Sequence, residues 1–164
     1  MNSKTLVMNA LIAALYFIVT VFVAPFGFSA VQFRISELFN HLIVYNKKYF
    51  FGIVVGVFLA NLVVSPMKTD IVFGVAHTAI SLLIVIFIAK WVKNKLYLML
   101  INAFVFSFNM FIIAYMLKFF GDLGEEVFLV LWGMLGIEEL ITMVIAIPII
   151  IFLNKRLSFE KLVY

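Results

Sequence analysis

The chain contains no cysteine among its 164 residues. This absence excludes disulfide bonds, thiolate nucleophiles and cysteine-ligated metal centres. Several enzyme signatures are missing as well: there is no GxxxxGK[ST] phosphate-binding loop, no GxSxG nucleophile motif and no HExxH zinc motif. The two histidines stand apart, without the clustered partners that a metal site needs. The sequence therefore predicts neither an enzyme nor a resident metal or cofactor.

Charged residues are scarce, and their scarcity defines the class of protein. They make up 12% of the chain, against about 25% in an average soluble domain. Hydrophobic residues reach 66%, and the mean hydropathy is +1.23. The remaining charges separate long apolar runs. We expect an all-α integral membrane protein, with residues 1–164 forming a single transmembrane domain and a prokaryotic cell membrane as its location.

The interruptions divide the chain into six predicted transmembrane helices. Their approximate limits are residues 6–23, 35–45, 49–64, 70–92, 96–120 and 125–153. The second segment is too short to cross a core of about 30 Å, so it must be extended or must bury its polar end in the protein. Residues 24–34 are apolar yet broken by Pro25 and Gly27, which predicts a plug or lid outside. In the last segment, Pro148 predicts a kink.

The basic residues are distributed unevenly between the two sides of such a bundle. If the N-terminus is inside, nine of the twelve fall on the inner side. These nine are Lys4, Lys47, Lys48, Lys90, Lys93, Lys95, Lys155, Arg156 and Lys161. Only Arg34, Lys68 and Lys118 fall outside. The positive-inside rule then places both termini in the cytoplasm, and the net charge of +4 reflects topology and lipid contact rather than nucleic-acid binding.

Two adjacent carboxylates, Glu138 and Glu139, stand in the middle of the last segment. Ionisable groups in hydrocarbon are costly and usually functional. Neighbouring helical residues point about 100° apart, because a turn holds 3.6 residues, so the two side chains cannot share one narrow face. We interpret one as a ligand-binding group. A structural role, as a buried carboxyl that joins helices, is the alternative.

A second group of polar residues lies at the start of the second segment. Arg34, Glu37 and His41 follow at spacings of three and four residues, so they lie along one helical face. Arg34 and Glu37 are either a ligand-binding pair or a local ion pair at the membrane surface. We interpret His41 as a structural hydrogen-bonding residue of the interior.

Other polar residues are weaker candidates. Asn61 is explained equally well by hydrogen bonding between helices, as are Asn102 and Asn109. Asp70 is favoured as a cap of its helix over a ligand contact. Trp132 lies seven residues before Glu139, on nearly the same face, where it could stack on a planar ligand.

Two pairs of small residues would allow close approach of another helix. These are Ala10-xxx-Ala14 in the first segment and Gly52-xxx-Gly56 in the third. Either could mark a surface between subunits. The glycine pair also leaves open a different class of function, a self-assembling channel or structural membrane protein.

Several segments together resemble the QueT family, within the S components of energy-coupling factor transporters. They are residues 32–37 (QFRISE), 60–66 (ANLVVSP) and 70–74 (DIVFG), with the acidic stretch in the last helix. The pattern expected there is closer to Leu-Gly-Glu, and the intervening Ile137 and second glutamate leave the functional carboxylate open. The resemblance implies a six-helix S-component bundle. It also implies uptake of queuosine precursors, together with a transmembrane coupling subunit and two cytoplasmic ATPases.

The resemblance gives the candidate residues specific roles. Glu139, or else Glu138, would accept the N1–H and 2-amino hydrogens of a 7-deazaguanine base. Glu37 or Asp70 would neutralise an aminomethyl group, while Arg34 or Gln32 would meet the 6-oxo oxygen. Trp132 or a phenylalanine would stack on the ring, and Ala10 and Ala14 would face the coupling subunit. An S component for a folate, a flavin or a pyridine vitamin remains the alternative.

Overall fold

The computed structural model describes residues 3–24, 35–65, 67–121 and 127–163, and it is all-helical, with no strand among these residues. The α-helices are α1 (Ser3–Val23), α2 (Phe50–Val64), α3 (Thr69–Ile88), α4 (Lys95–Asn109), α5 (Phe111–Phe120), α6 (Phe128–Leu157) and α7 (Phe159–Leu162). Two 3-10 segments, Ile35–Val44 and Lys47–Tyr49, precede α2. Five helical segments are long and apolar enough to cross a membrane. The all-helical prediction is therefore confirmed, with five candidate spans.

Some predictions fall outside the described residues. They concern Gln32, Arg34, residues 25–34 of the proposed lid (24–34), and residues 125–126 at the start of the last predicted segment.

Two helices differ from their predicted form. The segment 96–120 is divided at Met110, whose N–H bonds to the carbonyl of Ser107 at 3.2 Å, a tighter turn than an α-helix makes. The segment 70–92 ends as a helix at Ile88, and residues 89–91 form a turn. Helix α6 continues through Pro148 to Leu157.

Helices α1 and α2 pack closely and run in the same direction. The N–H of Gly52 donates to Asn9 Oδ1 at 2.7 Å, and a Cβ on Gly52 would lie 2.7 Å from the Asn9 carbonyl oxygen. One turn later, a Cβ on Gly56 would lie 2.7 Å from Tyr16 Cβ. Residue numbers increase in the same direction in both helices along these contacts, so α1 and α2 are parallel. The chain that connects them must therefore run back along the bundle. The Gly52-xxx-Gly56 pair thus serves packing inside the chain, and not a surface between subunits.

The 3-10 helix Ile35–Val44, called here the central helix, occupies the middle of the bundle and contacts α1, α3, α4 and α6. It runs antiparallel to α1, since Thr20 bonds Ser36 at 2.8 Å and Tyr16 bonds Glu37 at 3.0 Å. Its polar side chains are buried, which confirms that this short segment hides its polar end inside the protein. At about 2.0 Å per residue, ten residues span roughly 20 Å.

The C-terminal segment folds against the start of α2. Tyr49 Oη donates to the Phe159 carbonyl at 2.8 Å, and the Asn46 amide donates to the Val163 carbonyl at 2.9 Å. Because Gly52 meets Asn9 nearby, the beginning of α1 and the end of the chain lie at the same end of the bundle.

Candidate functional site

Glu37 lies on the central helix with a side chain that is 2% exposed. Its carboxylate accepts a hydrogen bond from Tyr16 Oη at 3.0 Å and another from the Asn40 side-chain amide. Tyr16 reaches it from α1, and Asn40 follows one 3-10 turn later on the same helix. The protein thus holds a carboxylate in its interior with donors from two elements, as a buried acid requires.

The structure separates Glu138 from Glu139. Glu139 is 3% exposed, whereas Glu138 is only half-buried beside the exposed Ile137. Helix α6 directs its Glu139 face toward α4 and the central helix, and the 100° step between neighbours turns Glu138 toward the bundle surface. The sequence left open which of the two glutamates lies in the interior, and the structure shows that it is Glu139.

Glu37 and Glu139 lie at the same depth in the bundle. His41 Nε2 meets the Met143 carbonyl at 2.9 Å, which fixes the level of the central helix against α6. Both elements run toward the C-terminal end of the bundle. Glu37 precedes His41 by four residues, which is about 8 Å along the central helix. Glu139 precedes Met143 by four residues, which is about 6 Å along α6. We call this the carboxylate level.

His41 has both ring nitrogens engaged. Asn102 donates to Nδ1 at 3.1 Å and to the Asn40 carbonyl at 3.2 Å, so Nε2 carries the proton that the Met143 carbonyl accepts. The ring is fully buried. These contacts confirm the interpretation of His41 as an interior hydrogen-bonding residue that joins the central helix to α4 and α6.

Two buried acceptors close to this network have no donor among the described residues. They are the side-chain oxygens of Asn40 and Asn102. Both side chains are fully buried, and their amide nitrogens are already used for the contacts described above. The interior next to the carboxylate level is therefore rich in hydrogen-bond acceptors.

Trp132 serves the packing of α4, α5 and α6. Its indole N–H donates to the Phe108 carbonyl at 2.9 Å, and its ring meets the Phe108 ring edge-on at 5.5 Å between centroids. It packs on a small apolar cluster formed by Met110, Ile113 and Met116. Along α6 it is about 10 Å from Glu139, which is far for one small planar ligand to touch both. At the depth of Glu139, Phe106 is a fully buried aromatic ring.

Asn61 in the last turn of α2 and Asp70 in the first turn of α3 join the facing ends of these two helices. The Asn61 amide donates to the Asp70 carbonyl at 3.1 Å, and Ser65 Oγ donates to the Asp70 carboxylate. Asp70 does not cap α3, whose N-cap is Lys68 without a side-chain bond. The expectation of a cap is wrong because Asp70 sits inside the first turn, facing back to Ser65.

Two residues of the site gave little sequence signal. Tyr16 is distant in the sequence and resembles the other aromatic residues of α1, so only the fold brings it to Glu37. Asn40 could have been found from its spacing of three after Glu37, which a 3-10 helix places on one face. In the described parts of the chain, no group of three His, Asp or Glu side chains could hold a metal ion.

Ala10 and Ala14 lie on the outer face of α1 and are exposed. Larger apolar residues surround them, including Leu6, Leu11 and Ile18, each exposed by 46% or more. Among the described residues, this face of α1 is therefore exposed at both alanines.

These features define a multi-pass membrane protein whose interior contains two buried carboxylates and unsatisfied hydrogen-bond acceptors. The family model described as QueT transporter matches residues 6–155. The chain therefore belongs to the QueT transporter family, a family of transporters and not of enzymes, and it is a multi-pass protein of the cell membrane.

A similar curated protein is the "Queuosine precursor transporter QueT" of Lactococcus lactis subsp. cremoris (strain MG1363). It is 31% identical over 173 residues, which cover 98% of this chain and 99% of the relative. No solved structure matches the chain.

Proposed function

We propose that this chain is the substrate-binding S component of an energy-coupling factor importer, and that it takes up a queuosine precursor of the 7-deazaguanine type. The observation that carries the proposal is the carboxylate level, where the carboxylates of Glu37 and Glu139 are both buried inside the helical bundle. The name of the 31% identical relative supports the substrate class.

The donor pattern of a 7-deazaguanine fits this interior. Its N1–H and 2-amino group stand side by side, so the two oxygens of the Glu139 carboxylate can accept both hydrogens. The unsatisfied oxygens of Asn40 and Asn102 can accept further N–H groups. Glu37 balances the positive charge of an aminomethyl substituent. Phe106 is proposed to pack on the ring in preference to Trp132, because Phe106 is fully buried whereas Trp132 lies about 10 Å from Glu139 along α6.

Arg34 or Gln32 is proposed to contact the 6-oxo oxygen. Both residues lie outside the described part of the chain. Asn61 and Asp70 hold the α2–α3 turn, so we assign them to the support of the outer end of the site and not to direct ligand contact.

Six membrane crossings with cytoplasmic termini are also part of the proposal. The parallel course of α1 and α2 supports a return crossing that contains the central helix. The basic residues Lys47, Lys48 and Lys161 lie near the end of the bundle where the chain terminates, which supports a cytoplasmic assignment of that end.

The exposed Ala10/Ala14 face is proposed to contact a transmembrane coupling subunit, which would connect the chain to two cytoplasmic ATPases. Small residues let another helix approach closely, and both alanines are exposed among the residues that the structure describes.

Uptake of a labelled 7-aminomethyl-7-deazaguanine by cells that express the chain tests the function and the coupling together. We expect uptake by the wild type, and loss of uptake in an Ala10→Leu/Ala14→Leu variant that still binds the base, because added bulk would block the neighbouring helix. Gly133→Leu, which adds the same side chain at an exposed position of α6, is the matched control and should transport normally. Absence of uptake by the wild type would reject the function, and loss of binding in the alanine variant would make the face structural.

A further inference from the structure

A cleft of about 370 Å³ opens at the end of the bundle where the chain terminates. It lies between the end of the central helix and the connection from α3 to α4. Lys47, Lys90 and Lys93 contribute its charged side, and Ile43, Ile86 and Ala89 contribute its apolar wall. Its volume falls in the range of about 300–1,000 Å³ that is usual for ligand pockets.

The three lysines have no carboxylate partner among the described residues. The ion pair at this end of the bundle joins Lys95 to Glu160, and the Lys95 ammonium also lies 4.7 Å from the centre of the Tyr45 ring. Three like charges around one cleft repel one another, and an anion between them would relieve that repulsion. The cleft therefore has the charge of an anion site.

The surroundings of the cleft indicate its depth in the membrane. Trp91 and Phe87 are 64% and 56% exposed and pack edge-on at 4.5 Å between centroids, and the Lys90 ammonium lies 5.1 Å from the Phe87 ring centre. Exposed aromatic rings beside lysines are typical of the layer between lipid chains and water. A ligand here would meet lipid headgroups on its polar side and lipid chains on its apolar side.

We propose that this cleft binds an anionic phospholipid, with the phosphate between Lys47, Lys90 and Lys93 and the upper part of an acyl chain against Ile43, Ile86 and Ala89. The proposal rests on the cytoplasmic assignment of this end, since the inner leaflet carries anionic lipids. The mixed lining favours a lipid over a free anion, because a free anion would gain nothing from the apolar wall. Such a lipid would anchor the α3–α4 connection at a fixed depth.

Native mass spectrometry of the full chain tests the proposal, with phosphatidylglycerol and phosphatidylcholine of identical acyl chains as probes. The test variant is Lys47→Gln/Lys90→Gln/Lys93→Gln. The control variant, Lys48→Gln/Lys155→Gln/Lys161→Gln, removes the same charge from the same end outside the cleft. Inorganic phosphate is added as a competitor in a parallel series.

We expect the wild type and the control to retain phosphatidylglycerol at least about tenfold more strongly than phosphatidylcholine, because each lysine near an anionic surface contributes about fivefold. The test variant should lose that preference. Equal retention of both lipids by the wild type would overturn the proposal and leave the lysines to an acidic protein partner. Equal loss in both variants would reduce the effect to general surface charge, and displacement by inorganic phosphate would indicate a free-anion site.

The experiment separates this proposal from the proposed transport function. Titration of the test variant with 7-aminomethyl-7-deazaguanine should give the wild-type affinity, because none of the three lysines lies at the carboxylate level. Failure of lipid retention with normal base binding would reject the lipid site alone.

Discussion

At the scale of single residues, two adjacent carboxylates differ in burial because of helix geometry. Glu138 and Glu139 are chemically identical, yet a step of about 100° on α6 leaves the first half-buried and the second 3% exposed. Burial of a charged group is unfavourable unless other groups compensate it. Glu37 and Glu139 are nevertheless both buried, and they lie at a similar depth in the bundle. Their common depth is the basis of the proposed site.

The pair offers a matched test. We expect Glu139→Gln to weaken the binding of 7-aminomethyl-7-deazaguanine by about tenfold or more, because a hydrogen bond to a charged group contributes about 1.5–3 kcal/mol. Glu138→Gln removes the same charge from the next position and should change the affinity by less than about twofold. Isothermal titration calorimetry of both purified variants measures the difference. Equal affinities for the two variants would show that neither carboxylate, or both, meets the base.

The sequence could not decide between these two glutamates, because both occupy an unbroken apolar helix. Burial follows from how α6 turns against α4 and the central helix, and no local pattern encodes that rotation. His41 was easier to interpret: one histidine in a short apolar segment needs partners, and the structure supplies Asn102 and the Met143 carbonyl. Tyr16 could not be predicted, since its contact with Glu37 joins residues 21 apart.

At the scale of elements, most helix limits follow from the sequence because apolar runs end at charges and turns. The predicted segment 49–64 and the observed α2 differ by one residue. The central helix is harder: over ten residues, the periods of 3.0 and 3.6 residues are nearly indistinguishable in a sequence. The sequence also could not show which helix Gly52 and Gly56 contact, because small residues favour close packing with a helix of the same chain or of another chain.

Two glycines give opposite predictions for the same substitution. Gly56→Ala should destabilise the protein, by about 1–3 kcal/mol, because the new Cβ would lie 2.7 Å from Tyr16 Cβ between α1 and α2. Gly133→Ala should leave stability unchanged or raise it by up to about 1 kcal/mol, since nothing lies within 4 Å and alanine favours a helix. Thermal unfolding in detergent compares them. A Gly56→Ala variant as stable as the wild type would contradict the close packing of α1 on α2.

At the scale of the whole molecule, polarity is organised from the middle outward. Buried polar groups surround the central helix, exposed apolar residues cover the outside, and lysines gather where the chain terminates. This arrangement is the reverse of a soluble protein, and it follows from the low charge content of the sequence. Composition and charge therefore predicted an all-helical membrane protein, whereas the common depth of Glu37 and Glu139 became evident only from the fold.

The absence of cysteine makes the topology directly testable. Single substitutions Lys48→Cys, Lys161→Cys and Lys68→Cys introduce one thiol each into exposed positions of a cysteine-free chain. A membrane-impermeant maleimide should label Lys68→Cys in intact cells, and it should label the other two only after the membrane is opened. Labelling of Lys48→Cys and Lys161→Cys from opposite sides would contradict six crossings.

Calorimetric titration of the purified protein with 7-aminomethyl-7-deazaguanine decides whether the chain binds a queuosine precursor, with guanine, folate and riboflavin as comparisons. We expect saturable binding of the deazaguanine at micromolar concentration or below, and binding of guanine at least about tenfold weaker, because guanine lacks the cationic substituent that a buried carboxylate would pair with. Binding of folate or riboflavin in place of the deazaguanine would contradict the assigned substrate class. Absence of binding to all four would contradict the assignment of the carboxylate level as a substrate site.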